Sequence, residues 1–237
     1  MDRQLSERRI MKLRLTLLAL LALVAATRAG ENVAPGLRIV SAARQQIGVT
    51  KEYDPSYAVL KYPGGDIPLH TGVCSDVIVR CLRQVGVDLQ KELHEDMPKN
   101  FSAYPSRWGL KAPDKNIDHR RVANLMRYFE RHHIAMREKL KARESYRPGD
   151  IVCWDLGRGI LHIGIVSDKN SRGTPLIIHN IGSGAKEEDI LLKYQVIGHY
   201  RLKENTQQNV PANGSQPIRS EANRTALSTG SPNPNSP

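Results

Sequence analysis

Arg147-Pro148-Gly149-Asp150-Ile151-Val152-Cys153-Trp154 divides this chain in two. Pro-Gly punctuates a turn, and the apolar run behind it has the length and bounds of a buried strand. Three more such runs follow, over 161–167, 175–179 and 195–201, with Gly157, Gly159, Gly173, Gly182 and Gly184 marking turns. Ahead of the divide the apolar spacing is helical. Leu37, Val40, Ala43 and Ile47 share one face. Val77, Ile78, Cys81, Leu82 and Val85 share another over 74–85, with Gly86 as the stop. Asp118 is placed to cap a third helix running to Arg131, with Val122, Leu125, Met126 and Phe129 on its apolar face. Segments 53–70 and 94–113 read as loops. Helices first and an antiparallel sheet afterwards predict an α+β domain, its N-terminal helices packed on a C-terminal sheet.

The ends carry different signals. Arg8, Arg9, Lys12 and Arg14 precede an apolar stretch over 15–26, and small residues around Ala26 and Ala29 suit signal-peptide cleavage. The stretch is short for a membrane span. Residues 1–29 are therefore expected to be a signal peptide, leaving a periplasmic or secreted protein with no stable membrane anchor after cleavage. Residues 204–237 are rich in Asn, Ser, Pro, Gln and Thr, and they predict a disordered tail. Between them, 37–203 has the length of one domain.

The net charge of +11 is partly signal, but about +7 remains after residue 30, which suits an anionic envelope polymer. Nucleic acid is not expected, because aromatic residues are few and no aromatic-interleaved basic stripe occurs. The basic runs Arg120-Arg121 and 139–143 read as solvated helix faces. Three cysteines in an exported chain leave at least one free thiol. Cys74 and Cys81 are two helical turns apart, about 10 Å by helical rise, too far for a disulfide. Cys81 and Cys153 are expected as small buried hydrophobes. No metal-ligand spacing occurs, so neither metal nor cofactor is expected.

Cys74 stands where the loop Leu69-His70-Thr71-Gly72-Val73 becomes a helix. A thiol at a helix N-terminus is expected to have a lowered pKa, since dipole and free N–H groups favour the thiolate. His162 opens the strand-like His162-Ile163-Gly164-Ile165, and His179 closes the next run. Adjacent antiparallel strands bring such side chains together. One histidine then serves as base and a second polar group orients it, the requirement for a cysteine nucleophile. The backbone N–H at Cys74 is a candidate oxyanion donor.

The order Tyr62-Pro63-Gly64-Gly65, Cys74-Ser75, Pro148-Gly149-Asp150, His162-Ile163-Gly164-Ile165 and His179 resembles the NlpC-type cell-wall cysteine peptidases, over about residues 39–201. Val73 and Asp76 depart from that family's pattern, as does the long segment between Gly86 and Pro148. Gly72-Val73-Cys74-Ser75-Asp76-Val77, Asn116-Ile117-Asp118-His119-Arg120-Arg121-Val122 and His179-Asn180-Ile181-Gly182 resemble more closely the YijF-like exported bacterial proteins, a domain of unknown function.

The wider resemblance implies a papain-like fold, Cys74 as nucleophile, His162 as base and His179 as its orienter, with Asn180 the alternative orienter. It implies that the Tyr62 hydroxyl lines the oxyanion site. Asp118, His119, Arg120 and Arg121 are candidates to line the substrate cleft; for Asp118 and His119 a helix cap and surface charge is an equal alternative, and for Arg120 and Arg121 the solvated face leads. Ser75, Asp76 and Asn180 complete the expected substrate-side set. The function expected is hydrolysis of an amide, in peptidoglycan or another envelope substrate, by a monomer. A non-catalytic envelope-binding module and an acyltransferase or transglutaminase with the same dyad are the alternatives.

Overall fold

The computed structural model describes residues 33–132, 134–136 and 145–202. The expected signal peptide, the tail and the basic run at 139–143 lie outside the described residues. Among the described residues no helix is long and apolar enough to cross a membrane.

Helix α1 spans Pro35–Arg44 with proline in its first turn, where the missing N–H costs nothing. Two short strands, β1 (Glu52–Tyr53) and β2 (Thr71–Gly72), pair in parallel and lead into α2, Cys74–Gln84. Gly86, at φ +91°, closes α2. Its N–H bonds to the Arg83 carbonyl and the Val87 N–H to that of Leu82, the paired bonds of a Schellman end.

The segment expected to be a loop from His94 instead continues a helix, α3 (Leu89–Asn100). Asp88 caps it by accepting the Gln90 N–H, and Leu89, Leu93 and Met97 form a buried stripe. Pro98 falls in the last turn, where its missing N–H costs a single bond, the one to the His94 carbonyl, and the helix ends two residues later. Residues Asp118–Arg120 form a 3₁₀ turn before α4 (Val122–Arg131). Asp118 does not cap α4. Its carboxylate turns back to accept the Asp114 N–H and the Arg121 guanidinium.

Five antiparallel strands follow: β3 (Ile151–Asp155), β4 (Leu161–Ser171), β5 (Thr174–His179), β6 (Lys186–Glu188) and β7 (Gln195–Tyr200), in spatial order β6-β5-β4-β3-β7. The molecule is thus α+β. Alternation along the strands separates two cores. Ile151, Cys153, Ile163, Ile165 and Ile178 face the helices, against Ile78 and Leu82 of α2 and Leu125 of α4. Val152, Trp154, Val166 and Ile177 face the other way, where Leu191 and Ile190 cover them.

Gly164 on β4 packs directly against β5. A Cβ there would stand 2.6 Å from Ile177 Cγ2 and 3.2 Å from His179 Cβ. Gly164→Ala should therefore cost about 1–3 kcal/mol, the usual penalty of overpacking, measured by urea denaturation. A stability equal to wild type would show that the strands yield at this point.

Candidate functional site

The entrance to α2 is built by side chains. Val73 is extended at the N-cap, and its N–H donates to Asp76 Oδ2 at 2.7 Å, the reach-back of an acidic residue at N3. Asp76 also receives Arg120 in a two-pronged contact, Nε to Oδ1 at 2.9 Å and Nη2 to Oδ2 at 3.0 Å. Both side chains are buried, at 4% and 2% exposure. Two more Arg120 hydrogens go to the Ser56 and Asp54 carbonyls, and Ser75 Oγ donates to the Arg120 carbonyl at 2.6 Å. Ser75, Asp76 and Arg120 are thus a brace for the loop behind β1, and Ser75 and Asp76 are absent from the cleft lining. Arg120 is not a solvated helix face: an internal carboxylate needs it.

Asn180 fastens the same corner from the sheet. Its amide donates to the Gly72 carbonyl at 2.9 Å, tying the end of β5 to the residue two before Cys74. His119 is buried beside the brace. Burial and the neighbouring Arg120 hold its pKa down at about 4, so it stays neutral.

Cys74 is the first residue of α2, and its thiol packs on the helix side of β4. The N–H groups of Ile163 and Ser75 point at the sulfur and lower its pKa, but burial outweighs them and pushes it up to about 11, with Asp76 adding to the rise. The expected thiolate is therefore corrected to a thiol. Helix-end stabilisation is modest for one turn of N–H groups, whereas removing a charge from water is expensive.

His162 pairs with Trp154 across the β3–β4 ladder, their rings 5.7 Å apart, on the face of β4 opposite Ile163. Burial, then His179, press the pKa of His162 down to about 3. The structure joins the two predicted histidines: His162 Nε2 lies 3.0 Å from His179 Nδ1. His179 Nε2 lies 3.2 Å from Glu188 Oε2 on β6, close enough for the carboxylate to act on it, though not aligned as a hydrogen bond. Among the described residues no hydrogen bond links the Cys74 sulfur to His162, and none is made to His162 Nδ1. The thiol lies on the helix side of β4 and His162 on the opposite side, so the predicted nucleophile and base are not brought together, and neither histidine lines the cleft above Cys74.

Tyr62 is not at this site. Its ring stacks edge-on to His94 at 5.0 Å, with Lys115 over it. The tyrosine at the thiol is Tyr53, whose hydroxyl contacts Cys74. Burial, Cys74 and Asp76 raise its pKa to about 12. The sequence signal for Tyr53 is slight, a tyrosine ahead of Asp54-Pro55. That for Glu188 is the acidic run Glu187-Glu188-Asp189 in a basic chain.

Cys74 opens into a cleft of about 380 Å³ lined by Tyr53, Arg107, Trp108, Arg120, Arg121 and Leu161 among others. Arg121 lines it rather than forming a solvated helix face, stacked at 4.3 Å over Trp108 while holding Asp118. Asp118 and His119 do not line it. All three cysteines are free, and Cys81 and Cys153 are fully buried in the helix-side core. Among the described residues no group of histidine, cysteine or carboxylate side chains is arranged to hold a metal ion.

Fold and site together define an α+β domain with a helix-end cysteine on one face of its sheet and a hydrogen-bonded histidine pair on the other. The chain belongs to the family described as "Domain of unknown function (DUF1287)", whose model matches residues 40–202. It is similar to "Uncharacterized protein YijF" of Escherichia coli (strain K12), at 58% identity over 166 residues, covering 70% of this chain and 80% of that protein. No solved structure matches it.

The raised thiol pKa sets how Cys74 reacts. Below about pH 11 the thiolate is the minor form, so alkylation by iodoacetamide should climb about tenfold per pH unit from 7 to 10. Cys74 should be modified ahead of Cys81 and Cys153, by peptide mapping of the native protein. A rate that levels off above pH 8 would mean the thiol titrates in the ordinary range.

Proposed function

We propose that this protein is an exported thiol hydrolase of papain-like fold that cleaves an amide, in peptidoglycan peptides or another envelope substrate. What carries the reading is the combination of Cys74 at the floor of a cleft with a hydrogen-bonded His162–His179 pair one residue from its contact on β4.

The proton bookkeeping follows from the partners. A carboxylate only accepts, so Glu188 favours a proton on His179 Nε2. His179 Nδ1 is then a lone pair that accepts the His162 Nε2–H. That leaves the lone pair of His162 on Nδ1, which is the form a base requires. In the proposed reaction the Cys74 sulfur attacks the amide carbonyl as its proton passes to His162 Nδ1, a step that requires the ring to leave its place beside Trp154 and reach the helix side of β4. The developing oxyanion meets the backbone N–H at Cys74 and the Tyr53 hydroxyl. The imidazolium of His162 returns its proton to the leaving amine, and water releases the acyl group by the reverse sequence. Starting from neutral thiol and neutral imidazole suits this route, since both pKa shifts disfavour a resting ion pair.

The absence of a thiol–imidazole hydrogen bond among the described residues favours a second reading, an envelope-binding module on the same fold. Mass spectrometry of muropeptides after incubation with the protein separates the two. On the hydrolase reading wild type gives new cleavage products and Cys74→Ala gives none. His162→Ala should lose at least about 10²-fold in turnover, the low end for a lost general base, and Glu188→Gln less. Products undiminished in Cys74→Ala, or none from wild type, would leave the binding module.

A further inference from the structure

The cleft above Cys74 is lined by three arginines, Arg107, Arg120 and Arg121, and by no acidic side chain. The three are not equivalent. Arg120 is buried and spends its fork on Asp76 and two carbonyls. Arg121 gives Nη1 to Asp118 and stacks on Trp108. Arg107 is exposed and makes no ion pair or hydrogen bond among the described residues. Trp108 is itself 42% exposed, a large apolar ring held at the cleft wall by a cation.

The unpaired guanidinium of Arg107, beside a stacked one that gives only Nη1 to Asp118, is a receptor for an anion. A planar fork matches a carboxylate in particular. We infer that the wall formed by Arg107, Trp108 and Arg121 binds a carboxylate of a peptide and so selects substrates with a free carboxylate next to the bond presented to Cys74. This deepens the hydrolase reading and rests on it only for the word substrate. The binding site itself does not require Cys74 to react. The wall belongs to the long segment between Gly86 and Pro148, so this selectivity is a property of the added loop.

Trp108 supplies the readout. The chain has two tryptophans, and Trp154 is fully buried with its indole N–H bonded to the Leu191 carbonyl, so it serves as an internal control. Full-length mature protein labelled with ¹⁵N would be titrated with N-acetylglutamate and, separately, with neutral N-acetylglutaminamide. The Trp108 indole resonance should move saturably with the anion and at least about tenfold more weakly with the amide, and the response should shrink in molar salt as exposed charge is screened. Arg107→Glu, a surface change that leaves the Asp76–Arg120 brace intact, should abolish the selectivity while Trp154 stays still. Equal responses to both compounds, no response at Trp108, or selectivity that survives Arg107→Glu would overturn the inference. Selective binding in a protein whose Cys74 cleaves nothing would leave the carboxylate site standing and remove the hydrolase.

Discussion

The buried pair of Asp76 and Arg120 is the constraint on which the site depends. It joins three pieces of chain distant in sequence: the first turn of α2, the loop behind Tyr53, and the 3₁₀ turn before α4. Each partner is costly alone, since an uncompensated buried charge costs about 3–5 kcal/mol. Together they use four of the five Arg120 N–H groups and both Asp76 oxygens, and Asp76 still accepts the Val73 N–H. The sulfur of Cys74 is consequently held between Tyr53 and the Ile163 N–H. Ser75, two residues after the cap, is drawn into the same network through the Arg120 carbonyl.

Burial then decides the charge state. A thiol at a helix end and an imidazole on a neighbouring strand invite an ion pair, but both groups are removed from water and each is pushed toward neutrality. Position at the helix end supplies N–H donors, and desolvation supplies the larger opposing effect. The resting state is then a neutral thiol on the helix side of β4 and a neutral imidazole on the other side. Glu188, exposed on one side, acts on the imidazole through His179.

Much of this was legible in the chain itself. The strands stand within a few residues of their expected bounds, because β-branched runs between glycines have few other solutions. The juxtaposition of His162 and His179 follows from adjacent strands. What could not be read is what depends on tertiary approach. Helix α3 is polar apart from one residue per turn, and its Pro98 reads as a breaker until its place in the last turn is known. Strands β1, β2 and β6 are too short for any periodicity. Tyr62 and Tyr53 are both tyrosines near glycine or proline. Only the folding of the loop onto Arg120 determines which one meets the sulfur. The same holds for Ser75 and Asp76, whose neighbours to Cys74 in sequence suggest a substrate role while their hydrogen bonds turn them inward.

The central claim is the protonation of the His162–His179–Glu188 chain, and ¹⁵N NMR of the histidine rings tests it most directly. At pH 7 the account predicts two neutral rings, each carrying its proton on Nε2, with His162 Nδ1 unprotonated and still neutral near pH 5, as its pKa of about 3 requires. Removing the carboxylate in Glu188→Ala should weaken the preference of His179 for that tautomer. An imidazolium at His162 at pH 7, or a proton resting on its Nδ1, would contradict the account.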